Sequence, residues 1–222
     1  MAYTIDNIEI SKARAALTEY GVWSVRADLV GGKAPARGAR VVVGLGDLQL
    51  SGTVRLADVY VERAEVLVVA GADGWSKNVK QRPYRSDNGV RLSLVAGDLA
   101  RDVGETLGPL GSLETQVLGY GWVRPAGLAS TALSELWKPW YVDIDGTTRL
   151  GERQRVQRSG LRLGVLGYTP SLRRVELTTP DDRFSSFVPG SVISGEGIPQ
   201  LRVRAVSVHV QDQSAWVEVE HA

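Results

Sequence analysis

GLASTALSELWKPWYVDIDGTTRLGER, Gly127 to Arg153, holds a helix signal and a hairpin signal with almost nothing between them. Ser130, Leu133, Leu136 and Trp137 recur at spacings of three and four, so the pattern predicts a short amphipathic helix that stops at Pro139. Trp137 falls on the face of Leu133 and is expected to be buried with it. Trp140 to Ile144 then alternate apolar and polar side chains, Asp145-Gly146 tolerates the positive φ of a tight turn, and Thr147 to Leu150 return as a second strand. The unit offers no nucleophile, no metal-ligand cluster and no phosphate cradle. It reads as scaffold.

Working outward, 222 residues suffice for one large all-β domain or two small ones. Twenty-five glycines against two Phe and one Met point to many turns and short strands, which favours β over α. Twenty-six basic and 25 acidic residues leave a net charge of +1, so no global field draws the chain to nucleic acid or membrane. The absence of cysteine excludes disulfides, thiolate catalysis and zinc ribbons. The apolar runs are too short to cross a bilayer, and MAYTIDNIEI lacks the basic and greasy segments of a signal peptide, so a soluble, cytosol-made protein is expected.

Toward the N-terminus, Tyr3 to Ile10 reads as a strand broken at Asp6-Asn7, and Trp23, Val25, Ala27 and Leu29 alternate with polar residues as a half-buried strand. Ala39 to Val43, Leu48 to Leu56 and Tyr60 to Val69 continue a small antiparallel barrel or sandwich. Asp73 to Asn88, polar and basic around Arg82-Pro83, reads as an exposed connection. A helix is expected over Leu92 to Thr106, closed by Gly108-Pro109, then a short strand from Thr115 to Val123, with an insert core around Trp122, Trp137 and Trp140. Beyond the hairpin, Glu152 to Ser159 reads as rim or turn. Strands follow at Leu161 to Gly167, Leu172 to Thr178, Ser191 to Ile193, Gln200 to Val210 and Ala215 to Glu220. The expected fold class is mainly β with a small helical insert: two small antiparallel barrel-like lobes, residues 1–72 and 151–222, joined by a linker and helix-hairpin segment, 73–150.

The motifs that invite chemistry have simpler readings. Gly44-Leu45-Gly46 lies between strands and lacks the third glycine and helix of a dinucleotide loop, so it is a hairpin turn. Asp143-Ile144-Asp145-Gly146 begins like a calcium loop, but its distal ligands are out of register. Asp181-Asp182 reads as a polar loop, and His209 and His221 could share a metal only if the chain end folded back. There is no Gly-x-Ser-x-Gly elbow. The reading is therefore of a non-enzyme with no cofactor and no metal site. Arg153, Arg155 and Arg158, with Arg173-Arg174, Arg202 and Arg204, are the basic clusters, either solvated strand faces or, if they converge, an interface rim. Of these, Arg153, Arg155, Arg173, Arg174, Arg202 and Arg204 are the candidate interface residues.

Taken in order, Gly52-Thr53-Val54 before a strand, Leu99-Ala100 with Gly104, the helix Thr131 to Trp137, the hairpin Val142 to Leu150, and Val188-Pro189-Gly190 before a final strand pair resemble the tail hub or baseplate hub proteins of tailed bacteriophages. The resemblance implies a homotrimer whose two similar barrels give a pseudo-sixfold ring, adapting a sixfold tail tube to a threefold tip. It also implies the tail tube, distal tail and central spike or fibre proteins as partners, with neither membrane nor nucleic acid among them. The implied location is the virion tail, after synthesis in the host cytoplasm. The competing reading is a carbohydrate-binding or glycan-degrading β module with Trp75, Trp140 and Trp216 as sugar platforms.

Overall fold

The computed structural model describes residues 3–180, 182–195, 198–211 and 214–222. The chain divides into two compact units, Gly71–Glu152 and the remainder, Met1–Ala70 with Arg153–Ala222. The first segment forms β1 (Thr4–Ile5), β2 (Ile8–Thr18), β3 (Ser24–Val30), β4 (Arg40–Leu45), β5 (Leu48–Val59) and β6 (Arg63–Ala70). Asp6 and Asn7 have φ of 45° and 69°, the two left-handed residues of a tight hairpin that both side chains tolerate, so β1 folds straight back onto β2. Because β1 pairs with both β4 and β2, the order β1-β4-β5-β6-β3-β2 closes on itself as a six-stranded barrel.

Alternation fills that barrel. Ala13, Ala15 and Leu17 of β2, Val25, Ala27 and Leu29 of β3, and Val66 and Val68 of β6 are all buried, while the residues between them reach the surface. Trp23 packs over Gly52. A methyl group at position 52 would lie 2.8 Å from the Trp23 ring and 2.9 Å from Val68, and closer still to the Val69 carbonyl, so only glycine fits there.

The unit Gly71–Glu152 contains β7 (Asn78–Val79), β8 (Arg82–Arg91), α1 (Leu92–Val103), β9 (Val117–Arg124), β10 (Gly127–Leu128), α2 (Ala129–Leu136), β11 (Trp140–Val142) and β12 (Thr148–Leu150). α1 stops short of the expected Thr106. Gly104 takes φ 82°, and the Gly104 and Glu105 amides turn back to the Arg101 and Ala100 carbonyls at 3.2 and 2.8 Å, which closes the last turn. α2 lies where the spacing placed it, with Leu133 and Leu136 buried.

Trp137 is not part of the helical face. It follows the helix in extended backbone (φ −156°, ψ 136°) and is only half-buried, because the helix ends one residue before it. The buried tryptophan is Trp75, in the segment read as an exposed connection. It is 2 % exposed, its Nε1 donates to Thr148 Oγ1 at 2.8 Å, and its ring lies 5.6 Å from that of Trp140. The short 3₁₀ turn that carries Trp75 packs on both helices. The insert core is thus built on Trp75 and Trp140, with Leu92, Leu99 and Leu133, and Trp122 stays half-exposed. The rest of the expected connection is largely strand: β8 and β9 form a two-stranded ribbon, tied to α1 by Arg82–Asp98 at 3.0 Å and Arg124–Asp102 at 2.7 Å. Glu105 fastens the entry to the insert, accepting from the Ala72 amide at 3.0 Å and the Gly74 amide at 2.6 Å.

The last segment supplies β13 (Val156–Leu161), β14 (Gly164–Thr169), β15 (Arg174–Thr178), β16 (Ser191–Gly195), β17 (Ile198–Gln211) and β18 (Ser214–His221). The single strand expected over Leu161 to Gly167 is two, and β13 begins inside the segment read as rim. Its pairing with β16 is parallel and its side chains are exposed on both faces, so no alternation marked it. These strands run β14-β15-β18-β17-β16-β13, and β17 also pairs with β2, so both sets belong to one twelve-stranded sheet. Among the described residues no ladder joins β13 to β14, although only Arg162 and Leu163 separate them.

Emptying the site of a buried tryptophan costs about 3–5 kcal/mol. Trp75→Ala is therefore expected to lose that much stability to denaturant unfolding, and Trp137→Ala about 1–2 kcal/mol as a partly exposed site. Equal losses in the two variants would return Trp137 to the core.

Candidate functional site

β2 and β17 run antiparallel with Thr18 opposite Ala205, which sets Glu19, just past the end of β2, beside the middle of β17. Glu19 is buried to 7 % exposure, and its carboxylate is met by the Arg202 guanidinium and by Arg204 Nε at 3.5 Å. Arg153 Nε donates to the Glu19 carbonyl at 3.0 Å. Three of the six candidate arginines thus converge on one residue, and they do so inside the chain. A buried carboxylate needs such compensation, since its desolvation is costly when unpaired. Glu19 itself was missed in the sequence, because Ser11 to Thr18 carries only small and charged residues around Leu17.

The other candidates lie elsewhere. Arg174 pairs with Glu218 on the neighbouring β18 at 2.9 Å, and Arg173 holds φ 50° with its carbonyl accepting from the His221 amide at 3.0 Å. Arg155 is exposed ahead of β13. The structure therefore gives a Glu19-centred group of Arg153, Arg202 and Arg204, and a separate, outward-facing set of Arg155, Arg173 and Arg174.

The positions with chemical potential are occupied by structural contacts. Arg149 bridges Asp143 at 3.1 Å and Asp145 at 3.4 Å, so the stretch that begins like a calcium loop is a hairpin loop whose carboxylates already hold a cation, with the Gly146 amide donating to the Asp143 carbonyl at 3.0 Å. Gly46-Asp47 turns between β4 and β5. Asp182 accepts from the Tyr3 hydroxyl at 2.8 Å, and burial together with that carboxylate pushes the Tyr3 phenol well above its ordinary range. Asp181 lies outside the described residues. No group of three or more His, Asp or Glu able to hold a metal occurs among the described residues, and no helix there is long and apolar enough to cross a membrane.

His209 and His221 are not brought together as ligands. The His209 ring stacks on Trp216 at 4.9 Å with planes 4° apart, whereas His221 lies 6.2 Å from Tyr168. Of the three candidate sugar platforms, Trp75 and Trp140 are buried, and Trp216 is covered on one side by His209. Stacked sugars need exposed aromatic faces, and these do not provide a row of them.

The fold is shared with solved structures along the whole chain. A type VI secretion component, E. coli c3393, described as structurally similar to the T4 bacteriophage tail proteins gp27 and gp5, superposes with a TM-score of 0.67 at 11 % identity, covering 100 % of this chain and 74 % of that one. The 43 kDa tail protein of prophage MuSo2 from Shewanella oneidensis gives 0.65 at 10 % identity, covering 100 % and 98 %. The tail protein from Neisseria meningitidis MC58 gives 0.66 at 10 %, covering 99 % and 95 %. No family model and no curated protein matches the sequence. The likeness to tail proteins is one of fold.

Burial lowers the His209 pKa below the ordinary imidazole value, and Arg14 lowers it further, while Glu218 and Glu176 pull the other way. A histidine depressed in the folded chain takes up its proton more readily when unfolded, so acid favours unfolding through this group. Between about pH 7.5 and about pH 5.5 the melting temperature is expected to fall more for the native chain than for His209→Gln. Equal falls would show that His209 does not contribute.

Proposed function

We propose that the chain is a structural component of a phage-type tail, acting as a ring that adapts the sixfold tail tube to the threefold tip. The observation that carries this reading is the likeness of fold, over 99–100 % of the chain, to two tail proteins and to a type VI secretion component that itself resembles phage tail proteins. Two sets of six strands joined through β2 and β17 support a subunit that contributes two quasi-equivalent lobes, residues 1–72 and 151–222, with 73–150 as the insert between them in sequence. Three such subunits give six lobes, which is the arithmetic of a three-to-six adaptor. The role is non-enzymatic, and the partners are further copies and the neighbouring tube, distal tail and spike or fibre proteins of the same virion tail.

In this reading Arg155, Arg173 and Arg174 face the neighbouring subunit, where charge sets register and partner choice more than affinity. Arg153, Arg202 and Arg204 support the same region from behind by holding Glu19.

Native mass measurement of the purified chain, alone and with its tail tube protein, tests the proposal. The expected species is three times the 24.0 kDa chain mass. A monomer persisting at micromolar concentration in both samples would overturn it. Arg173→Glu is expected to weaken assembly and leave the melting temperature unchanged, whereas Arg202→Glu is expected to lower the melting temperature by placing two carboxylates together at Glu19.

A further inference from the structure

Only Arg162 and Leu163 join β13 to β14, and a cleft of about 330 Å³ lies at this joint. One segment, Gly160 to Leu163, lines it together with Thr179, Arg183 and Phe187 from another. The fold fixes both segments. Gly160 turns at φ 70°, and a methyl group on Gly195 of β16 would come within 2.8 Å of the Leu161 carbonyl and 3.0 Å of the Leu163 side chain, so the backbone there is packed to contact. In the second segment the Asp182 amide donates to the Thr179 carbonyl at 3.3 Å, and Ser185 donates to Asp47 through its amide and hydroxyl at 2.8 and 2.6 Å. Phe184 and Phe187 are buried beneath it. A cleft with walls held in this way has little ordering left to do when a ligand enters.

Its lining is polar and positive. Arg162 and Arg183 reach the same cleft from separate segments, and no carboxylate lines it among the described residues. Two cations in one concave site repel each other and draw in an anion. Arg162 has no carboxylate partner among the described residues, while Arg183 makes a further contact within the chain. The described carboxylates close by are in use or turned elsewhere: Asp182 accepts from the Tyr3 hydroxyl at 2.8 Å, Asp47 accepts from Ser185, and Glu176 stands opposite Gly167, further along β14. Thr179 is 8 % exposed, and its hydroxyl has no hydrogen-bond partner among the described residues. A hydroxyl so nearly buried and unpaired is a donor left to the cleft. The approach is positive as well, since the sequence from Arg153 to Arg174 holds six arginines and no acidic residue.

We infer that this cleft binds a phosphate dianion, free or as a monoester, with Arg162 and Arg183 taking its charge and the Thr179 hydroxyl donating to an oxygen. A guanidinium presents a planar fork of N–H donors that matches the oxygens of a phosphate, and two guanidiniums balance a group that carries close to two charges near neutral pH. A carboxylate brings one charge and two oxygens, and an apolar side chain would leave every donor unpaired. The inference goes beyond the ring reading and does not rest on it.

The test follows the melting of the full-length native chain, Arg162→Gln, Arg162→Lys and Thr179→Val in phosphate, acetate and chloride at equal ionic strength. A ligand held only by the folded chain raises its melting temperature by mass action. Phosphate is expected to raise that of the native chain above its value in chloride. The half-maximal phosphate concentration is expected to increase at least about tenfold in Arg162→Gln, and by less in Arg162→Lys and Thr179→Val. The general salting effect of phosphate is common to all four chains and drops out of the comparison. Equal melting temperatures in chloride show that the variants are folded. A phosphate response that is the same in the native chain and Arg162→Gln would overturn the site, as would acetate matching phosphate. Glycerol phosphate, added as a further probe, distinguishes the sources: a response stronger than that to inorganic phosphate assigns a monoester, a weaker one the free ion, and both uphold the site. A short DNA duplex that binds more tightly than either, and loses binding in Arg162→Gln, would overturn the dianion in favour of a phosphodiester backbone. Mass measurement on the same samples reads the oligomeric state separately, so failure of this site and failure of the ring reading are told apart.

Discussion

The pairing of β2 with β17 is the interaction on which the rest of the structure depends. β2 is long enough to serve two partners: Ile8 and Glu9 meet β1 and close the first barrel, while Lys12 to Thr18 meet β17 from Gln211 to Ala205. A strand shared in this way fixes the register of the two lobes together. The inward positions Ala13, Ala15 and Leu17 are set by β3, so the outward face that β17 extends is set as well, and a one-residue slip would expose the entire apolar set. Glu19 and its arginines sit at the end of this ladder, where a buried charge couples the end of β2 to Arg202 and Arg204 in the middle of β17.

The parts that could be read from the sequence are those where local chemistry and tertiary burial agree. Asp6-Asn7, the alternation from Trp23 to Leu29, the α2 helix and the final strand pair each follow from turn propensity or period, and the mainly β fold with a small helical insert is the one observed. The parts that could not be read are those whose conformation is decided by distant partners. Ser11 to Thr18 holds alanines whose burial is real but whose side chains carry little hydrophobic signal. Trp75 sits among polar residues, and only Thr148, 73 positions on, provides the hydroxyl that takes its indole hydrogen.

The same distinction governs the candidate site. Composition picks out the arginines, but not which of them are consumed internally, because Glu19 is an ordinary acid just past the end of an unmarked strand. The split between Arg202 and Arg204 on one side and Arg155 and Arg173 on the other comes from register, since β17 lies next to β2 and β15 does not. β13 was hidden for a related reason: exposed on both faces and paired in parallel, it has no period to detect.

The closed barrel also has a bearing on how the chain is made. Every ladder of that barrel lies between Thr4 and Ala70, so its hydrogen bonds can all be satisfied before most of the remainder has been made. The Lys12–Thr18 edge is then left without its partner until translation has passed Gln211, and the Arg14 and Lys12 side chains line that waiting edge. Charged side chains along an open strand discourage pairing with strangers. The residues that later form the outer face of the sheet are thus placed to act earlier as guards of a nascent chain.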